Sequence, residues 1–173
     1  MRYAAIAPWK LDARGPLAAA VKLYEERIGA CRGDSFQLVV PASQLDGEKD
    51  ATQFLIRECM KKRSEGWLLV CLDESGQTAD SETFAARLGL AATQGHKGVA
   101  FCLGGAYGLP RELAETGKVE LLSLSPLTLA HELALTVLLE QVYRAQCILA
   151  RHPYHHAQKS ALWKALSAGR GRV

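Results

Sequence analysis

Three stretches of this chain close an apolar run with residues able to hold a flat, polar ligand. They are Leu72-Asp73-Glu74-Ser75-Gly76, Leu103-Gly104-Gly105-Ala106-Tyr107-Gly108 and Leu124-Ser125-Pro126-Leu127-Thr128-Leu129. Glycine after a buried strand removes the Cβ that would hold a ligand off the backbone, so main-chain amides and carbonyls become the binding surface. The same glycines also suit ordinary tight turns. In open parallel sheets, ligands collect outside the carboxyl ends of the strands. The chain has no GxxxxGK[ST], and GGAYG neither matches GxGxxG nor follows the first strand. A nucleoside-like ligand held by loop backbone therefore fits better than a di- or triphosphate.

A second group of candidates lies near the C-terminus. From Leu133 to Leu149 the chain is apolar almost all round, and Glu132, Thr136, Glu140 and Arg144 recur every four residues as one polar stripe. Arg144 either pairs with Glu140 one turn earlier or is held at a buried edge, pointing into a site. Downstream runs Arg151-His152-Pro153-Tyr154-His155-His156. Three imidazoles without a regular helix to aim them make a poor metal site, and no metal is expected. A tyrosine among cations suits RNA: Tyr154 can stack on a base while Arg151 and a histidine contact phosphate. No acidic residue follows Glu140, whereas Arg144, Arg151, Lys159, Lys164, Arg170 and Arg172 all do. A tail of one sign favours a polyanion, with RNA the foremost candidate, although a solvated terminus has the same composition.

Nucleophilic catalysis has little support, since no GxSxG is present and no Cys or Ser stands in an activated context. The five cysteines are scattered and lack CxxC spacing. They read as buried thiols in a reducing compartment. At 173 residues, 49% hydrophobic and 23% charged, the chain is of single-domain size and can bury a core. No apolar run reaches the roughly 20 residues of a membrane helix, and the N-terminus lacks a secretory signal. A cytoplasmic protein away from membranes is expected.

The elements that must position these groups alternate. Strands are expected at Tyr3–Pro8, Phe36–Val40, Trp67–Leu72, Val99–Leu103 and Val119–Ser123. Helices are expected from Pro16 to Gly29, Lys49 to Ser64, Ser81 to about Gln94, Pro110 to Thr116 and His131 to Ala150. Ser81 is the expected cap of the third helix, Gly66 the stop of the second, and Asp73–Thr78 a polar loop. Such alternation predicts an α/β fold with a parallel sheet covered on both faces.

The C-terminal half resembles the RlmH family of large-subunit ribosomal RNA pseudouridine N3-methyltransferases, within the SPOUT class of knotted methyltransferases. The likeness rests on VCLDESG at 70–76, CLGGAYGLP at 102–110, LSLSPLTLAH at 122–131 and LLEQVYRAQCILARHPYH at 138–155. The last is the most specific, because LEQxYRA precedes a near-terminal PYH. The resemblance covers about residues 1–156 as one domain and leaves 157–173 as a basic C-terminal extension. It implies a SPOUT-type fold, a parallel-rich sheet flanked by helices, with a C-terminal deep trefoil knot that sequence rules would not propose. It implies S-adenosylmethionine as cofactor, held by Leu72, Gly104, Leu124, Ser125, Pro126, Leu127, Thr128 and Leu129. It also implies a homodimer that buries the knotted region, with one subunit's C-terminal segment approaching the other's cofactor.

The implied substrate is a pseudouridine of 23S ribosomal RNA on the assembled ribosome. The implied reaction is direct displacement without metal: the N3 imide loses its proton and attacks the sulfonium methyl in line, and S-adenosylhomocysteine leaves. Alignment supplies much of such a rate, and a cation beside the base favours the imide anion. Arg144 is expected to be that cation, and Tyr154 and His155 to place the base or relay its proton, an imidazole titrating near neutrality. His131 is expected to touch cofactor or RNA, or to serve as a structural residue at the helix start.

The chain departs from the family at Ala130 and Ala106, where proline is usual, and near Leu135, where arginine is usual. Its APWKLDAR loop replaces a VGK-type opening. Losing that arginine removes one RNA contact, which Trp163, Lys164, Arg170 and Arg172 can replace. Three other readings stay open on the residues: a methyltransferase for another rRNA or tRNA base, a ribosome-binding factor without catalysis, and a flavodoxin-like module.

Overall fold

A computed structural model describes residues 1–31, 33–115 and 119–155. His156 and the 157–173 extension, with the basic residues expected to meet RNA there, lie outside the described residues.

Five strands, β1 (Arg2–Ile6), β2 (Ser35–Val39), β3 (Leu68–Thr78), β4 (Val99–Leu103) and β5 (Glu120–Ser123), form one sheet in the order β2-β1-β4-β3-β5. Every pairing is parallel. Five helices alternate with them: α1 (Ala18–Ala30), α2 (Gly47–Ser64), α3 (Ser81–Thr93), α4 (Arg111–Glu115) and α5 (His131–Leu149). The expected α/β fold is thus observed.

The two-residue period of a strand sorts side chains to opposite faces. Tyr3, Ala5, Val99, Phe101 and Leu103 enter a core with residues of α1, α3 and α5. Ala4, Ile6, Ala100 and Cys102 enter the other, with Phe54, Leu55 and Cys59 of α2 and Leu113 of α4. Helix α5 is apolar enough to lie between neighbours: Leu135, Leu138, Leu139 and Val142 are fully buried, and α1 and α3 flank it. Leu135 therefore faces the core, not RNA. Cys59, Cys71, Cys102 and Cys147 are buried free thiols, and Cys31 is half-buried.

Several boundaries differ from the expected ones. Pro16 lies ahead of α1, in a turn where Gly15 N–H donates to the Asp12 carbonyl. Asp80 caps α3, accepting from Thr83 N–H at 2.7 Å, so Ser81 is the first helical residue. Ser81 Oγ instead donates to Gln141 on α5. Gly66 ends α2 as expected, with φ +86°. The expected Asp73–Thr78 loop is a continuation of β3. Strand β5 pairs with β3 twice, at Leu72 and again at Gln77 and Thr78, around an irregularity. Gly76 permits this close return, since a Cβ there would lie 2.7 Å from the Leu122 backbone.

Candidate functional site

The carboxyl ends of β4 and β5 flank the irregular middle of β3, Leu72–Ser75, and with it bound a cleft of about 530 Å³, closed on the fourth side by the start of α5. Leu72, Gly104, Leu124, Ser125, Leu127, Thr128 and Leu129 all line it. Pro126 is the one expected cofactor residue outside the lining. Asp73, Glu74, Gly105, His131 and Ala134 complete the walls.

Local chemistry explains the shape. Strand-like pairing of Gly105 with Gly108 makes the turn after β4 tight: Gly108 N–H donates to the Gly105 carbonyl at 3.0 Å, and Gly108 has φ +71°. A Cβ on Gly104 would lie 2.8 Å from the Gly108 carbonyl carbon, closer than real contacts allow. After β5, Ser123 Oγ donates to the Ser125 carbonyl, and Ser125 Oγ accepts from Leu127 N–H. Thr128 Oγ1 donates to Glu74 at 2.6 Å, tying the third loop to the first across the mouth. Leu127, 72% exposed, presents a large apolar side chain at the rim.

Two contributors come from residues that motif reasoning passed over. Trp9 Nε1–H donates to the Gly104 carbonyl at 3.2 Å, and its ring lies 4.5 Å from that of His131. Glu74 is the other. In both cases the partner is distant in the chain, so no local spacing could have signalled the contact.

Arg144, Tyr154 and His155 lie elsewhere. Arg144 is thirteen residues beyond His131 on α5. Ala134 is the last residue of α5 to line the cleft, and the ten residues from there to Arg144 span about 15 Å along the helix at 1.5 Å per residue. Glu140 gathers this second cluster. It accepts from Arg144 Nη2, from Tyr154 Oη at 3.1 Å and from Gln141 Nε2 at 2.6 Å. The i,i+4 ion pair is thus present, and it raises the Arg144 pKa. The guanidinium also covers the Tyr154 ring at 4.9 Å, and Tyr143 meets that ring edge-on at 4.8 Å. Burial, then hydrogen bonds with Tyr24 and Glu140, push the Tyr154 phenol well above its ordinary range. A phenol is neutral near pH 7 in any case, and this shift keeps it so into alkaline solution.

The turn after α5 folds Tyr154 back onto the helix. Arg151 takes φ +54°, the left-handed position where glycine usually ends a helix. Its N–H donates to the Ile148 carbonyl and that of His152 to Cys147. His155 Nε2 is 3.6 Å from Glu82 on α3, and both ring nitrogens are buried without a hydrogen-bond partner.

Comparison with known proteins gives consistent results. A family model described as a SPOUT methyltransferase matches residues 1–155. Ribosomal RNA large subunit methyltransferase H of Acidiphilium cryptum is 38% identical over 149 residues, 84% of this chain and 89% of that protein. Its counterpart in Trichlorobacter lovleyi is 41% identical over 125 residues, 69% and 80% of the two chains. That of Rhodospirillum centenum is 49% identical over 92 residues, 53% of this chain. The match spans 60% of the Rhodospirillum protein's length.

Proposed function

The chain belongs to the SPOUT methyltransferases, with the ribosomal RNA large subunit methyltransferases H as relatives, and from this we propose that it methylates N3 of a pseudouridine in 23S rRNA on the ribosome. The observation that carries the reading is the cleft between the ends of β4 and β5 and the middle of β3, whose walls include seven of the eight residues expected to hold S-adenosylmethionine. The residues fit that cofactor. The volume lies within the roughly 300–1,000 Å³ usual for small-molecule sites, and Gly104 packs too tightly on the Gly108 backbone to carry a Cβ, which holds the turn that lines the cleft. When bound, S-adenosylmethionine supplies an already activated methyl group.

The chain's own work is then binding, alignment and proton management. Gly104, Leu72 and the loop 124–129 hold the cofactor through backbone groups. Arg144 provides positive charge for the base as N3 gives up its proton. Tyr154, kept neutral, donates a hydrogen bond and positions the base. His155 takes the proton, neither ring nitrogen being hydrogen-bonded and Glu82 standing 3.6 Å from Nε2 to stabilise the charged ring. Because about 15 Å of α5 separates Arg144 from the cleft of the same protomer, a homodimer supplies the missing half: the Arg144 end of one α5 serves the cleft of its partner. The C-terminal segment, threaded through a loop as a trefoil knot, would fix the cleft's third wall against the other two.

No helix among the described residues is long and apolar enough to cross a membrane, and the cytoplasm is where ribosomes offer this substrate. Incubating the protein and S-adenosylmethionine with ribosomes from a strain lacking the gene tests the reading. Mass spectrometry should find one added methyl on a 23S rRNA pseudouridine, and none when pseudouridine-free ribosomes are used. Methylation of tRNA alone would assign another target. A folded protein that fails to bind S-adenosylmethionine in a calorimeter would be a ribosome-binding factor instead.

A further inference from the structure

A smaller recess of about 230 Å³ adjoins the cofactor cleft. The two share Gly105, Ala106, Gly108 and His131, so their contents would meet over a lip that is mostly glycine. The recess carries no carboxylate, and its rings are Trp9, Tyr107 and His131. Trp9 is fixed by its N–H bond to the Gly104 carbonyl. Tyr107 sits at the tip of the Gly105–Gly108 turn with 58% of its surface exposed. An aromatic side chain so placed contributes little to the core, and the tight turn presents it to whatever enters.

We infer that this recess receives the acceptor base, with Tyr107 as a stacking platform and the Trp9–His131 pair as the opposite wall. The inference rests on the reading of the larger cleft as the methyl-donor site and specifies where that site's RNA substrate lies. Geometry favours it. A displacement needs donor and acceptor a few ångströms apart in a fixed orientation, and the shared lip is the boundary where two separately held ligands touch. The recess is too small for a whole nucleoside cofactor by the usual scale of about 300–1,000 Å³, yet suits one ring system. Aromatic stacking holds an unpaired base by its face, which every base possesses.

Tyr107 separates this role from cofactor binding, because unlike Trp9 it has no recorded bond to the Gly104 floor. Tyr107→Ala and Tyr107→Phe are compared with the unaltered full chain, by methyl transfer to ribosomes lacking the modification and by calorimetry with S-adenosylmethionine. Tyr107→Ala should lower kcat/KM for ribosomes by about tenfold or more, the scale of one lost stacking contact. Tyr107→Phe should restore it, and cofactor affinity should stay within about twofold in both. A parallel loss of cofactor affinity in Tyr107→Ala would overturn the inference and put the adenosyl ring in the recess. Unchanged kcat/KM would leave the recess without an RNA role. Failure of the unaltered protein to transfer methyl to rRNA would instead remove the reading on which the inference stands.

Discussion

A methyl group on Gly104 would meet the Gly108 carbonyl carbon at 2.8 Å, with backbone rather than a flexible side chain in the way. Gly104→Ala should therefore weaken S-adenosylmethionine binding by tenfold or more, a loss of about 1.4 kcal/mol, while the protein stays folded; calorimetry and circular dichroism check the two halves. Tyr154 and Tyr3 give a pH signature. Burial is the first cause in both of a pKa held above the ordinary 10.0. The folded chain keeps phenolic protons that the unfolded chain releases, so this contribution is complete below pH 10 and is lost as pH rises beyond it. Denaturant midpoints should drop between about pH 9 and about pH 11, and Tyr154→Phe should make the drop smaller. An unchanged drop would contradict the burial of that phenol. At this scale the chain was legible wherever chemistry is local. Glycines closing an apolar run exposed the cleft floor, and four-residue spacing exposed the Glu140–Arg144 pair. The Trp9–Gly104 and Thr128–Glu74 bonds were not legible, because their partners lie far apart in the chain.

Among the elements, β4 matched its expected bounds because a continuous apolar run between glycines has few alternatives. β3 did not, because Asp73, Glu74 and Ser75 read as loop by composition while pairing with β5 carries the strand on to Thr78. Tertiary pairing overrides local preference there. Helix α3 shows the opposite case: Asp80 and Ser81 are both good caps, and only geometry chooses Asp80. The end of α5 supports a prediction of its own. Arg151 holds a left-handed conformation that costs a residue with a Cβ roughly 1 kcal/mol. Arg151→Gly should raise stability by several tenths of a kcal/mol to about 1 kcal/mol in urea unfolding. It should also weaken ribosome binding if the side chain meets phosphate as expected. Gains in both would show that Arg151 has no RNA contact.

At the level of the whole molecule, α5 is a rod of 19 residues with a ligand cleft at one end and a cation–phenol cluster at the other. A chain carrying Gly104→Ala and another carrying Arg144→Ala should each be nearly inactive, yet unfolding and refolding them together should recover part of the methyl transfer. Mixed dimers bring one intact cleft to one intact cluster, and no recovery would mean that each chain completes its own site. The overall α/β layering followed from element alternation, whereas the proposed meeting of one chain's cluster with another's cleft followed from the family resemblance and from no spacing within the sequence. The length of that rod also sets a population effect. Across about 15 Å of rigid helix a solitary chain cannot bring cleft and cluster together, so turnover per molecule should follow mass action: vanishing on dilution, and rising steeply once a cell has made enough copies to pair.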